Sequence, residues 1–175
     1  TKKGRSKQFS YHGFNIKLQS NDRSGTNVYS ELFTSIDKRN SPIPVSKDKA
    51  IVIKSHFKAK RVLGPKSYEL HHGKFVRFTL LDPDNWYNLE EKELSKYETP
   101  KNLYPNGREC DYVFIPHIHR LYFLQGIVSP YIMQKYLEAA FKQVIGSHEE
   151  IVVHLIQSID QIERIINASE LKRLE

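Results

Sequence analysis

Apolar and polar positions alternate through Phe14, Asn15, Ile16, Lys17 and Leu18, which predicts a first strand over residues 10–18. After the turn Asn21-Asp-Arg-Ser-Gly25 the period lengthens. Val28, Tyr29, Leu32, Phe33 and Ile36 form one helical stripe, with Thr26 or Asn27 as cap and Asn40–Pro44 as stop. Alternation returns over Ala50–Arg61. Ile51, Ile53, Phe57 and Ala59 are expected on one face, and Lys54, His56, Lys58 and Lys60 on the other. Gly64-Pro65 turns the chain into a third strand, residues 68–81, which carries His71, His72 and Gly73; a glycine there marks a bulge or a close approach of backbone.

Residues 82–110 break the pattern with seven carboxylates and three prolines, and read as a loop insertion with one short helix around Leu89–Lys96. Asp111–Gln125 is the longest strand-like run, apolar in both registers. Pro116 cannot donate a ladder hydrogen bond, so the strand is bulged, broken or at an edge there. Ser129-Pro130 starts a second helix, with Ile132, Met133, Tyr136, Leu137, Ala140 and Phe141 inward and Gly146 as stop. Residues 151–156 read as a strand buried on both faces. Ser158 and Gln161 form a capping box for a last helix with Ile162, Ile165, Ile166, Leu171 and Leu174 inward.

The resulting order, β-α-β-β-(insertion)-β-α-β-α, predicts one α+β domain over residues 1–175. The expected architecture is a ferredoxin-like-related sandwich with helices on one sheet face and the other face open to ligand. The open ending inside a helical pattern predicts the N-terminal part of a longer protein.

Charge changes this picture most. The chain carries a formal +7, which points to a polyanionic partner such as nucleic acid, with no metal or other cofactor required. The basic residues 1–8 could touch phosphates or simply be a solvated tail. The row of Lys54, His56, Lys58 and Lys60, extended by Arg61, is expected to track a phosphate backbone; an ordinary solvated sheet face is the plain alternative. Cys110 is the single cysteine, which excludes an intrachain disulfide and fits a reducing cytoplasm. No apolar run reaches the ~20 residues of a membrane span.

His117, His119 and Arg120 are the candidate chemical group. On a strand the two histidines would share a face, with Arg120 opposite. They could hydrogen-bond within the sheet. They could move the protons of RNA cleavage, with Arg120 stabilising phosphorane charge. Or they could ligate a metal with His56, His71, His72 or Glu109 as a third donor. Pro83-Asp84 followed by Glu90-Glu91-Lys92 imitates a nuclease signature, but its context is loop-like and it reads as coincidence.

Phe14-Asn-Ile-Lys17, Tyr29, Leu32-Phe33, Asp84-Asn-Trp86, Tyr104-Pro-Asn106, Phe114-Ile-Pro116 with His119-Arg120, and Ser158 together resemble an uncharacterised bacterial family, described only as a domain of unknown function. Some of its members sit beside mobile-element or anti-phage genes. The resemblance implies a cytoplasmic bacterial protein of defence type and assigns no catalytic residue. The combined expectation is a domain that binds RNA or single-stranded DNA. The alternatives are a histidine-dependent ribonuclease on the same scaffold, or an assembly domain that contacts another copy or another protein.

Overall fold

The computed structural model describes residues 10–63, 65–98 and 100–156. The basic N-terminal segment and the last predicted helix, with its Ser158 cap, lie outside the described residues. Strand β1 (Tyr11–Gln19) leads to helix α1 (Asn27–Arg39), the two-residue β2 (Ile43–Pro44), and the long strands β3 (Lys49–Leu63) and β4 (Lys66–Thr79). Then come β5 (Trp86–Asn88), β6 (Glu93–Ser95), β7 (Arg108–Ile115), a 3-10 turn (Pro116–Ile118), β8 (Arg120–Leu124), α2 (Pro130–Lys142) and β9 (Glu150–Leu155).

The expected ferredoxin-like sandwich does not form. Seven strands build one curled antiparallel sheet, a half-barrel in the order β2-β3-β4-β7-β8-β1-β9, and two helices lie among the described residues. The reason lies in the connections. β3–β4, β4–β7 and β7–β8 are antiparallel neighbours in a meander, so the sheet grows by hairpins and outweighs the helices.

The local patterns that predicted α1 and α2 do produce helices. The stripe Val28, Tyr29, Leu32, Phe33 and Ile36 is buried, and Ser129 accepts the Ile132 N–H at 3.4 Å to cap α2. Both helices pack into one core with Phe14, Ile16, Ile51, Ile53, Phe75, Phe114, Leu121 and Phe123 of the sheet. The Leu18 N–H donates to the Tyr29 hydroxyl at 3.1 Å, which fixes α1 against β1.

Three strand expectations are corrected. The run 111–125 is not one strand but β7 and β8 folded back as an antiparallel pair, because Pro116 begins a 3-10 turn and His119 takes a left-handed conformation, φ 58°. β9 is an edge strand with Val153 buried and His154 and Leu155 exposed, not a strand buried on both faces. The helix expected at Leu89–Lys96 is instead the turn and second strand of the β5–β6 hairpin, a separate two-stranded sheet. Asn88 accepts the Glu90 and Glu91 N–H groups, and this Asx turn reverses the chain before a helix can start.

Candidate functional site

A single extra residue in β3 decides where the candidate cations point. The β3–β4 register slips between Ile53 and Ser55, so Lys54 is the bulged residue. Beyond it the alternation reverses. His56, Lys58 and Lys60 lie opposite Gly73, His71 and Glu69, on the core side of the sheet. Phe57, Ala59 and Arg61 take the outer side. Lys54 pairs with Glu109, which Lys74 also meets at 2.9 Å. The expected row of Lys54, His56, Lys58 and Lys60 is therefore split between two faces, and of the predicted nucleic-acid residues Lys54 and Arg61 stay outside.

On the inner side, His56 stacks on Phe33 with ring centroids 5.2 Å apart and meets His71 edge-on at 5.1 Å. The polar atoms order themselves by donor logic. The Tyr112 hydroxyl donates to the Ser55 carbonyl at 3.4 Å, so His56 Nδ1–H can donate to Tyr112 at 2.9 Å. His71 Nε2–H faces the Glu69 carboxylate at 2.8 Å. His56 Nε2 and His71 Nδ1 are then buried lone pairs without a partner among the described residues. Burial, then the neighbouring His71, Lys58 and His72, lowers the His56 pKa to about 4. Burial also lowers that of His71 against the pull of Glu69. Two neutral imidazoles packed this way support the core. Among the described residues no three of His, Cys, Asp and Glu come together to hold a metal ion.

His117 and His119 do come together, though not by strand alternation. The 3-10 turn exposes His117 beside Tyr68, ring centroids 4.7 Å apart. His119 turns inward against Tyr29 at 5.4 Å, and its carbonyl accepts the Ile16 N–H at 2.7 Å. Its Nδ1 is buried without a partner among the described residues, and burial, then Lys17 and His117, holds its pKa below the ordinary value. A cavity of about 390 Å³ includes Lys17, Arg23, Ser24, Thr26, His117 and His119 in its lining. Arg120 is not part of it. It pairs across the sheet with Ile115 and Asn15 on the outer face, away from both histidines.

That outer face holds what the sequence reading missed. One ladder row crosses five strands: Phe57 on β3, His72 on β4, Val113 on β7, Tyr122 on β8 and Gly13 on β1. Phe57 is 57% exposed and tilts against His72 at 5.6 Å; Val113 is 37% exposed. A Cβ at Gly13 would come within 3.1 Å of the Tyr122 ring, so the glycine leaves that ring room to lie flat across β1. Arg61 lines a shallow hollow of about 360 Å³ with Ala59, Leu70, His72 and Val113, and Arg120 flanks Tyr122 two residues away on the same face. Four inter-strand spacings of ~4.8 Å make the platform ~19 Å wide. The signal was present in Phe57 and Tyr122, but the bulge at Lys54 reversed the face assigned to Phe57.

A family model described as "Domain of unknown function (DUF4747)" matches residues 7–175. The match bears out the resemblance to an uncharacterised family and carries nothing on bacterial origin. No curated protein and no solved structure matches the chain.

Proposed function

The chain belongs to the family described as a domain of unknown function, DUF4747, and from that premise and the geometry above we propose that it binds single-stranded nucleic acid, RNA foremost, on the outer face of its sheet. The observation that carries this reading is the row Phe57–His72–Val113–Tyr122, aromatic and apolar surface, exposed at the first three and half-buried at Tyr122, on a sheet whose other face packs the helices. Bases stack on such rings whatever their sequence, and Arg61 and Arg120 at the flanks suit the phosphates. Lys54 and Lys74 contribute less to such binding, because Glu109 and Asp111 already engage them. The setting, a bacterial defence-type protein in the cytoplasm, is part of the proposal on the strength of the family resemblance. The structure's own statement is narrower: no helix among the described residues is long and apolar enough to cross a membrane.

Fluorescence anisotropy with a labelled oligouridine tests the reading. Phe57→Ala and Tyr122→Ala are each expected to weaken binding by about tenfold or more, since a stacked base contributes ~1–3 kcal/mol. Arg61→Ala and Arg120→Ala should each lower the salt slope by roughly 0.7. Binding by the wild-type chain that is indifferent to all four substitutions would remove the outer face from consideration.

A second reading, assembly, has its own observation. Trp86, Tyr87, Leu89, Leu94 and Leu103 are all exposed within residues 82–104, where six carboxylates stand against three lysines in an otherwise basic chain. Apolar exposure of this density marks contact surfaces. Among the described residues the hairpin's strands pair only with each other, which leaves their outer edges open. If it joins copies, light scattering will show a concentration-dependent oligomer that Tyr87→Glu with Leu94→Glu converts to monomer. A monomer at every concentration tested rules that role out.

A further inference from the structure

The cavity beside the 3-10 turn has a composition that the outer-face reading does not use. Its lining includes Lys17, Arg23, His117, His119, Ser24 and Thr26, and among the described residues no carboxylate lines it. Arg23 is committed elsewhere: its Nε donates to Glu149 at 2.7 Å and its other nitrogen pairs with the second oxygen of the same carboxylate. That pairing, with the Gly146 N–H and Ser20 hydroxyl donating to Glu149, holds the Glu149 pKa at about 2 and pins the wall of the cavity. Lys17 makes no ion pair, and the Ser24 and Thr26 hydroxyls make no hydrogen bond, among the described residues.

Lys17, His117 and His119 therefore line one space with two spare hydroxyls and, among the described residues, no carboxylate in the lining. Burial and Lys17 disfavour a proton on His119, and a bound anion of more than one charge would offset that cost. A phosphate monoester carries about −1.5 to −2 at neutral pH, whereas an internal phosphodiester carries a single charge. An adjoining hollow of about 340 Å³ shares Thr26, Pro116 and His117 and adds Tyr68, whose ring lies 4.7 Å from His117. A planar base has a place to rest there. Glu69 also lines that hollow and accepts from His71 at 2.8 Å. The cavity lies beside the turn that joins β7 to β8, the strands that carry Val113 and Tyr122 of the outer row.

We propose that this cavity receives a terminal phosphate monoester, the phosphorylated end of the strand bound on the outer face, with Lys17 as its cation and the His117 and His119 rings as hydrogen-bond donors. The identification of the ligand as a strand end rests on the outer-face reading; the anion site does not.

The test uses three ten-nucleotide RNAs of one sequence, bearing a 5′-phosphate, a 3′-phosphate or hydroxyls at both ends. One phosphorylated form is expected to bind about tenfold or more tightly than the hydroxyl form, the worth of one charge-assisted contact. Lys17→Ala, on an exposed strand position, and His119→Asn, which tolerates the left-handed backbone, should each bring that ratio toward one while leaving the hydroxyl oligonucleotide's affinity unchanged. Equal affinity for all three RNAs in the wild-type chain overturns the strand-end site. Should no RNA bind, the outer-face reading fails by itself, and inorganic phosphate is titrated against the His117 and His119 ring resonances. Saturable shifts of both that disappear in Lys17→Ala support the anion site, and rings that do not respond overturn it.

Discussion

Gly73→Ala is expected to destabilise the protein by about 3 kcal/mol or more and to lower its melting temperature by about 6–12 °C. A Cβ on residue 73 would stand 1.9 Å from the Ser55 carbonyl oxygen and 2.7 Å from its carbon, both backbone atoms of the facing strand. Neither can rotate away. The carbonyl comes this close because Lys54 is bulged out and the chain swings toward β4. Relief would require separating β3 from β4 where the sheet also carries the Tyr112–Ser55 hydrogen bond and the His56 stack on Phe33. Gly107→Ala is the control, since a Cβ there meets only Val76 at an ordinary 3.9 Å and should cost no more than about 0.5 kcal/mol. Equal melting temperatures for the two variants, read by circular dichroism, would contradict the packing described for the bulge.

Acid should unfold the protein early. His56 and His71 both have folded-state pKa values below the ordinary 6.5 of a histidine, that of His56 near 4. The unfolded chain therefore takes up protons first. The stability held by the two neutral rings is complete above pH 6.5 and is lost as pH falls from there through about 4. Protonation would place N–H groups at His56 Nε2 and His71 Nδ1, where no acceptor is at hand among the described residues, and Lys58 opposite His71 adds to the repulsion. After discounting for the partly exposed His56 ring, that ring alone should contribute about 1–2 kcal/mol between pH 7 and 4.5. Urea unfolding across this range measures the slope, and His56→Gln should flatten it. A stability that does not change between pH 7 and 5 would contradict the neutral, unpartnered state of these rings.

The particular residues show what could be read from the chain and what could not. The α1 stripe and the Ser129-Pro130 start of α2 depend on neighbours within a turn or two, and these were legible. Pro116 marked a break in the long apolar run, but whether the chain bulged or folded back depended on His119 adopting a left-handed conformation, which its residue type does not announce. The lysine row failed for a different reason. Strand alternation has period two, so one added residue at Lys54 exchanged the faces of everything after it. Gly73 was the visible trace of that event, on the partner strand. The place of β1 between β8 and β9 was not legible at all, because it rests on pairing between segments more than a hundred residues apart. His117 and His119 line one cavity, but through a 3-10 turn and not through strand alternation. Lys17, their third companion, comes from that same distant strand.

That placement of β1 has a consequence for how the protein is made. β1 leaves the ribosome first among the described strands, yet its partners are β8, which begins at Arg120, and β9, which begins at Glu150. At ~5–20 residues per second, Phe14 and Ile16 wait on the order of ten seconds for the strands that cover their backbone. The β3–β4 hairpin can close meanwhile from its own neighbouring sequence. The nascent chain therefore passes through a stage in which half of the sheet exists and its first strand is unclaimed, the interval in which a chaperone has most to protect.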